Sequence, residues 1–223
     1  MVKQRKYSAV IFDLDGLMLD TESISQPAWK RAMMELGYEF DESIFPQIMG
    51  LKLEAIGEFY RGLLGQDFPF EKANELRSKY MNEHFEKFGI ELKPGLLELL
   101  EFLDKNELPK VIATSSQRDF AMLKLRFANL IDRFDMIVCA DEVENGKPAP
   151  DIFYLAAEKL GVDVKECLVL EDSSNGIKAA HAAGMGAVLV PDINQPTEDI
   201  LELADRVFPT LNEVIPFLQK GIN

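Results

Sequence analysis

Short apolar runs alternate with segments of helical character along most of the chain. The runs contain few polar residues, unlike the alternating pattern of a strand that is half exposed to solvent. Apolar strands that alternate with helices of about ten residues are typical of a parallel sheet covered on both faces. The pattern therefore predicts a doubly wound α/β core. The predicted strands lie at residues 9–12, 108–116, 136–139, 167–172 and 187–191, and the predicted helices at 95–105, 119–127, 152–160 and 176–183.

Helical periods, without a convincing strand, fill the stretch between the first two predicted strands. We expect two apolar helix faces in this stretch to form a buried core, the first helix starting at Pro27. The faces comprise Trp29, Ala32, Met33 and Leu36, and Ile56, Phe59, Tyr60, Leu63 and Leu64. The sequence thus predicts a helical cap of residues 21–90, inserted into a core formed by residues 1–20 and 91–223. The turn Lys93-Pro94-Gly95 marks the return to that core.

Two acidic residues follow the first predicted strand. Asp13 and Asp15 are separated by one residue, and strand side chains alternate between faces, so both carboxylates start on the same side. Like charges held that close repel each other unless a cation or a reacting group lies between them. The pair is therefore a candidate chemical site. A strand that ends in a solvated acidic turn is the alternative interpretation.

Polar residues also follow two later strands. Thr114 ends the second predicted strand and Asp172 ends the fourth. Sheets of this type bind ligands beyond the carboxyl ends of their strands, near the point where the strand order reverses. We therefore expect Asp13, Thr114 and Asp172 to converge on one crevice. The residues that could instead cap a following helix are Thr114, Ser115 and Ser116 after the second strand, and Glu171, Asp172 and Ser173 after the fourth.

Four short motifs occur in order along the chain. They are Asp13-x-Asp15, Thr114 after a strand, Lys147 within the loop 146–151, and the pair Glu171-Asp172. In this order they resemble the motifs of the haloacid dehalogenase-like phosphohydrolases, and the resemblance covers nearly the whole chain, including the helical insertion. The chain is similar to the β-phosphoglucomutase-like branch, which includes phosphatases of pseudouridine 5'-phosphate and of sugar phosphates. Taken by itself, Lys147 could equally be a solvated loop lysine.

This resemblance implies a Rossmann-like core with a helical cap, and phosphoryl transfer that depends on Mg²⁺. Asp13 would attack phosphorus and form an aspartyl phosphate. Asp15 would protonate the leaving oxygen and then activate water. The implied ligands of Mg²⁺, which prefers hard oxygen atoms, are Asp13, the backbone carbonyl of Asp15, Glu171 and Asp172. The implied phosphate-binding groups are Thr114, Ser115 and Lys147.

Cap residues distinguish two reactions of this branch. The mutases have a His five residues after the Asp that follows the first motif, where this chain has Ser25 after Asp20. They also have an Arg three residues after a glycine that Gly50 matches, where this chain has Leu53. Because both phosphate anchors are missing, the sequence favours a phosphatase over a mutase. Lys52 could substitute as an anchor, so we expect Gly50 and Lys52 to contact substrate. A catalytically silent binding protein is a third interpretation, which the complete acidic set disfavours.

The charge balance narrows the possible partners. The chain has 24 Lys and Arg residues against 38 Asp and Glu residues, and this net charge of −14 argues against nucleic acid. The sequence contains neither an apolar stretch of membrane-spanning length nor a signal-peptide pattern, so we expect a cytoplasmic protein without a membrane partner. Cys139 and Cys167 are expected to be buried free thiols. No protein partner is implied. The expected substrate is a small phosphorylated metabolite: a sugar, sugar alcohol or nucleoside phosphate.

Overall fold

Six parallel strands form one central sheet. The computed structural model describes residues 6–49, 51–193 and 195–222. The strands are β1 (Ala9–Phe12), β2 (Lys110–Ala113), β3 (Ile137–Val138), β4 (Cys167–Glu171), β5 (Gly186–Leu189) and β6 (Arg206–Val207). Their order across the sheet is β3-β2-β1-β4-β5-β6, and every pairing is parallel. The chain therefore reverses its direction of travel across the sheet between β1 and β4, where such folds bind their ligands.

Helices cover both faces of this sheet. The described helices are α1 (Glu22–Glu35), α2 (Phe45–Ile48), α3 (Leu53–Leu64), α4 (Phe70–Phe88), α5 (Leu96–Lys105), α6 (Arg118–Phe127), α7 (Asp151–Leu160), α8 (Ser174–Ala182), α9 (Glu198–Leu203) and α10 (Val214–Ile222). Alternate residues of the strands contribute to opposite hydrophobic clusters. Val10 and Phe12 belong to the cluster that includes α5, α6 and α10, whereas Ala9 and Ile11 belong to the cluster that includes α7 and α8. The predicted doubly wound α/β core is confirmed.

Several strand bounds differ from the sequence prediction, and the largest difference is in β2, which spans Lys110–Ala113 rather than 108–116. The third strand has only two residues, Ile137–Val138, rather than the four expected at 136–139. The sixth strand, Arg206–Val207, was not expected, because both of its residues are exposed and it has no apolar run for the pattern to reveal. Edge strands can be this short, since they pair on one side only.

No helix of the described residues is long and apolar enough to cross a membrane.

The segment between β1 and α5 is helical, as predicted, and has a hydrophobic cluster of its own. Helices α1 to α4 and the loops that follow α2 and α3 supply its members, which are mostly aromatic. The Trp29 ring lies 5.4 Å from the Tyr60 ring and 6.0 Å from the Phe70 ring, measured between centroids. The buried members are Trp29, Met33, Phe45, Ile48, Met49, Tyr60, Phe68, Phe70 and Ala73.

Two details of the cap prediction are wrong. Helix α1 starts at Glu22 rather than at Pro27, which lies inside the helix. The proline ring removes the backbone N–H that would donate to the Ser23 carbonyl. Because Ser23 is exposed, water can replace the lost hydrogen bond. The apolar face of α3 is only partly core, since Leu63 is 52% exposed and Leu64 is 37% exposed at the end of the helix.

The cap also packs directly on the α/β core. The C-terminal half of α4 belongs to the same hydrophobic cluster as β1 and α6. The Phe85 ring lies 6.4 Å from the Phe120 ring and 6.0 Å from the Phe127 ring. After α4 the chain returns through Lys93-Pro94-Gly95, where Gly95 adopts a left-handed conformation with φ of 87° immediately before α5. These contacts hold the cap above the carboxyl ends of the strands.

Candidate active site

Lys147 links three strand ends beneath the cap. Its ammonium group donates to Asp13 Oδ1, to Glu171 Oε1 at 2.5 Å and to the Ala113 carbonyl at 3.1 Å. These partners belong to β1, β4 and β2 or follow them directly. The Lys147 side chain is 1% exposed, which excludes the interpretation as a solvated loop lysine. Burial alone would lower the pKa of Lys147, but Asp13 and Glu171 raise it above its usual value.

Hydrogen bonds to both carboxylate oxygens hold Glu171 in place. Its Oε2 accepts hydrogen bonds from the backbone N–H of Asp172 at 3.1 Å and of Ser173 at 3.0 Å, and from the Ser173 hydroxyl at 3.0 Å. Any side chain at Gly176 would collide with it, because a Cβ there would lie 1.8 Å from the Glu171 carboxylate. Ser173 also caps α8 by accepting from the Gly176 N–H at 3.0 Å. The capping interpretation therefore holds for Ser173, whereas Glu171 faces the site.

Three buried carboxylates at this edge fit a divalent cation. Asp13, Glu171 and Asp172 each offer an oxygen atom, and these atoms lie within 4.8 Å of one another. Burial raises the pKa of Asp13 to about 7, even though Lys147 opposes the shift. Burial, reinforced by the charge of Glu171, raises the pKa of Asp172 well above its usual range. A bound cation would relieve this repulsion, and carboxylate oxygens are the ligands that Mg²⁺ prefers.

Asp15 lies in a separate network of donors. Lys124 donates to Oδ1 at 2.6 Å and to Oδ2 at 2.5 Å, while Thr21 Oγ1 donates to Oδ1 and Ser116 Oγ to Oδ2, both at 2.8 Å. Burial alone would raise the pKa of Asp15, but Lys124, Thr21 and Ser116 together lower it. The side chain of Lys124 is 1% exposed. In this arrangement Asp15, whose side chain is 22% exposed, is an ionised carboxylate paired with a buried lysine.

Sequence reasoning missed Lys124 and assigned Ser116 differently. Lys124 lies inside a predicted helix, where a lysine is usually solvated. Its spacing from Phe120 and Ala121 places it on the inward face of that helix, a signal that could have revealed it. Ser116 was expected to cap this helix, but the residue preceding α6 is Gln117, and the Ser116 hydroxyl donates to Asp15 instead.

Thr114 and Ser115 line the crevice directly after β2. Thr114 is buried, and its hydroxyl accepts from the Ser116 N–H at 3.1 Å. Because α6 does not begin until Arg118, Thr114 is not its cap. The proposed contact of both hydroxyls with phosphate stays a prediction.

Lys52 lies elsewhere than expected. Its ammonium group donates to the Val143 carbonyl at 2.8 Å and to the Glu144 carbonyl at 3.2 Å, so it joins the cap to a loop of the core. A Cβ on Gly146 would lie 2.3 Å from Lys52 Cγ, so a side chain there would displace Lys52 from this position. The position does not support a substrate contact for Lys52. Gly50 lies outside the described residues.

A cavity of about 150 Å³ separates the strand ends from the cap. Its core side carries Asp13, Asp15, Thr114 and Asp172. Its cap side is largely apolar, with polar groups from α1 and α4. The cap residues that line it include Glu22, Ser25, Trp29, Phe45, Ile48, Met49, Leu53, Asn74, Arg77 and Ser78.

Arg77 gives this cap a cation that the sequence analysis did not foresee. Its Nε donates to Ser25 Oγ and its Nη1 to Asn74 Oδ1, both at 3.2 Å, and its guanidinium lies 5.3 Å from the centroid of the Trp29 ring. Among the described residues no carboxylate lies within 4.0 Å of Arg77. The inference that the cap lacks a cation at Ser25 is therefore wrong, because α4 supplies one from 52 residues further along the chain.

Comparison with known proteins identifies the family of this chain. Residues 10–190 match the family model of the haloacid dehalogenase-like hydrolases. The chain belongs to this family. It is 39% identical over 194 residues to a probable pseudouridine-5'-phosphatase of Drosophila melanogaster, covering 84% of this chain and 83% of that protein. It is 34% identical over 181 residues to a phosphorylated carbohydrates phosphatase of Thermotoga maritima, covering 79% and 82%.

Solved structures share the whole architecture. A hydrolase from Pseudomonas syringae superposes with a TM-score of 0.84 at 28% identity, covering 96% of this chain and 98% of that one. A β-phosphoglucomutase from Clostridium difficile superposes with a TM-score of 0.82 at 26% identity, covering 96% of each chain. Together with the relatives, these matches confirm the prediction of a haloacid dehalogenase-like phosphatase with an α/β Rossmann-like core.

Proposed function

We propose that this protein is a Mg²⁺-dependent phosphatase that hydrolyses a small phosphomonoester through a phosphorylated Asp13. The observation that carries the proposal is the contact of Asp13 with buried Lys147, beside Glu171 and Asp172, at the floor of a cavity closed by the cap. Phosphoryl transfer needs an in-line nucleophile and neutralisation of the equatorial oxygens, and these residues supply both. The relatives named as phosphatases of pseudouridine phosphate and phosphorylated carbohydrates support this class of substrate.

In the first half of the reaction, an Asp13 carboxylate oxygen forms a bond to phosphorus while the bond to the leaving oxygen breaks. Lys147, Thr114 and Ser115 hold the oxygens of the transferring group. Asp13, Glu171, Asp172 and the Asp15 carbonyl would hold Mg²⁺, which when bound polarises a phosphoryl oxygen and neutralises charge. Splitting the displacement into two covalent steps replaces one difficult attack by water with two easier ones.

Asp15 moves the protons of both halves. It gives a proton to the leaving oxygen, and it later accepts one from the water that attacks the aspartyl phosphate. The contact with Lys124 favours its ionised form, which is the form that can accept a proton. To act as an acid in the first half, the Asp15 carboxyl group must leave this ion pair. We therefore assign the arrangement observed here, in which Asp13 is unmodified and Asp15 is ionised, to the resting protein before Asp15 takes up the proton that it later donates.

A second candidate is a sugar-phosphate mutase of the β-phosphoglucomutase type. Arg77 favours it, because a cap cation could hold the second phosphate of a bisphosphorylated intermediate. Glu22 disfavours it, since this carboxyl group lines the same cavity and repels that phosphate when it is ionised, above its burial-raised pKa of about 7. Arg77, a hydrogen-bond donor, and Glu22, an acceptor, line the same cavity and suit the hydroxyl groups of a sugar, a sugar alcohol or a nucleoside. We therefore retain hydrolysis as the function of this site.

The test is an assay of Mg²⁺-supplemented protein with a panel of phosphorylated sugars, sugar alcohols and nucleosides, in which released phosphate and isomerised product are measured together. We expect phosphate release from at least one compound, abolished by EDTA and restored by Mg²⁺. Isomerised product that forms faster than free phosphate would identify a mutase instead. Cytoplasmic location, the lack of a protein partner and the lack of nucleic-acid binding stay predictions from the sequence.

A further inference from the structure

Asp192 carries a buried carboxylate oxygen that lacks a partner. The residue follows the end of β5 and lies at the same edge of the sheet as Glu171, which ends β4. Its side chain is 8% exposed, and Oδ1 accepts from the Lys93 ammonium group at 2.5 Å. Oδ2 is fully buried and has no hydrogen-bond partner among the described residues. Leaving a buried acceptor unsatisfied is costly, so the position of this oxygen needs an explanation.

The unpaired oxygen points towards the candidate metal site. A Cβ placed on Gly16 would lie 3.3 Å from Asp192 Oδ2 and 2.3 Å from Asp172 Oδ2, so both carboxylates face one corner beside Gly16. Gly16 has a φ of 81°, which glycine adopts readily, and its missing side chain leaves room for the two oxygens. Gly16 also follows Asp15, whose carbonyl is one of the proposed ligands. The corner thus adjoins the ligand set.

Lys93 does not account for this geometry. It bonds to the other oxygen of Asp192, and its ammonium group also lies 4.0 Å from Asp20. The groups nearest Oδ2 on the site side include Asp172, which is itself acidic. Two carboxylate oxygens that face one corner need a hydrogen-bond donor or a cation between them. Mg²⁺ usually keeps several water molecules, and these are strong donors.

We propose that Asp192 supports the metal site from outside the ligand set: Oδ2 accepts a hydrogen bond from a water molecule bound to the cation beside Asp172. Residues in such positions orient the ligands of a metal and add negative charge near it, and losing one typically weakens metal affinity about 10-fold or more. Lys93 bonds to the opposite oxygen and leaves Oδ2 available for this contact. The inference rests on the proposed Mg²⁺ site.

The experiment is calorimetric titration of the full chain with Mg²⁺, comparing wild type, Asp192→Asn and Lys93→Gln. Asp192→Asn removes the charge and Lys93→Gln leaves it, yet both break the same ion pair. We expect Asp192→Asn to weaken Mg²⁺ binding about 10-fold. Lys93→Gln should bind Mg²⁺ as tightly as wild type or tighter, because it removes a nearby positive charge.

Each result decides between specific ideas. If Asp192 only anchors the return of the chain from the cap, both variants will weaken binding equally, which would overturn the inference. Unchanged Mg²⁺ affinity in Asp192→Asn would overturn it as well. Wild-type protein that binds no Mg²⁺ would instead contradict the proposed function. Thermal unfolding without Mg²⁺ checks that the variants are folded, and should Asp192→Asn not fold, Asp192→Ser replaces it in the same comparison.

Discussion

The two ends of the cavity hold their charges in different ways. At the core end each cation already has a carboxylate partner: Lys147 bonds to Asp13 and Glu171, and Lys124 bonds to Asp15. At the cap end Arg77 bonds only to neutral oxygens. A site whose charges are paired before substrate arrives is organised for one reaction. Arg77 has the charges of Glu22 and Asp15 nearby but no ion pair with either, so it can still bond a ligand. We propose that the core end determines the chemistry and that the cap end determines which molecule undergoes it.

The strongest test of this division is Asp13→Asn. The change removes the nucleophile and preserves the side-chain shape, so we expect phosphatase activity to fall by roughly 10⁴-fold or more on every substrate. Steady-state assays on several phosphomonoesters measure it. Asp119→Asn is the matched control, because Asp119 is exposed on α6. A loss confined to some substrates would place Asp13 in recognition rather than in chemistry.

Lys124→Met tests whether the core end depends on its ion pairs. The variant removes the cation that pairs with Asp15, whose side chain is 22% exposed and keeps the hydrogen bonds from Thr21 and Ser116, so the free energy of unfolding should fall by about 1.5–3 kcal/mol. Chemical denaturation measures the change. Adding Asp15→Asn to Lys124→Met should recover much of the loss, since no unpaired charge remains.

The exposed pair Lys72–Glu75 provides the control for that comparison. Its side chains are 53% and 69% exposed, and Lys72→Met should therefore change the free energy of unfolding by less than about 0.5 kcal/mol. A loss of that same size in Lys124→Met would show that the buried pair contributes no more than a surface pair.

Arg77→Gln tests the cap end. Hydrogen bonds to a charged group contribute about 1.5–3 kcal/mol, so kcat/KM should fall about 10- to 100-fold for phosphates with hydroxylated leaving groups. For p-nitrophenyl phosphate, which has no such hydroxyls, kcat/KM should stay close to that of wild type. Arg61→Gln is the control, because Arg61 belongs to the same cap and pairs with exposed Glu71. Equal losses on both kinds of substrate would show that Arg77 acts in folding or catalysis rather than in substrate recognition.

The smallest effect concerns the pH dependence of stability without metal. Asp13 has a pKa of about 7 in the folded protein, above its ordinary value of 3.8, so the folded state binds more protons than the unfolded state between those values. Stability should therefore fall as pH rises from about 4 to about 7. Thermal unfolding in EDTA should show a decrease of several degrees, smaller in Asp13→Asn. Mg²⁺ should reverse the decrease at neutral pH. A pH-independent unfolding temperature would contradict the assignment.

The core end could be predicted because its residues follow strands. A parallel sheet places the carboxyl ends of its strands along one edge, so the positions of Asp13, Thr114 and Asp172 in the sequence implied that they would lie together. Lys147 came from the family resemblance, and the structure explains why a loop lysine can serve there. Short-range patterns were enough for these residues.

The cap end could not be predicted in the same way. Arg77 meets Ser25 only because α4 packs on α1, and the sequence pattern does not fix which faces of two helices meet. In the sequence pattern, Lys124 and Arg77 look like ordinary solvated positions of helices. Only the packing of those helices places both side chains at the cavity. The sequence pattern also failed to predict the exposed strand β6 and the position of the proline inside α1. At those places strand pairing and solvation outweigh the local preference of the residues.

The two-sided packing of α1 has a consequence for chimaeric enzymes. Trp29 and Met33 belong to the aromatic cluster of the cap, whereas Ala28 and Ala32 belong to the cluster shared with the α/β core. Exchanging residues 21–90 as a block with a relative would therefore cut through a shared interior and unsettle both partners. Replacing only the segment between α1 and the middle of α4 would spare most of that shared interior but would divide the aromatic cluster, because Trp29 and Met33 would stay while Tyr60 and Phe70 would be exchanged. A chimaera therefore needs matching partners for both faces of α1.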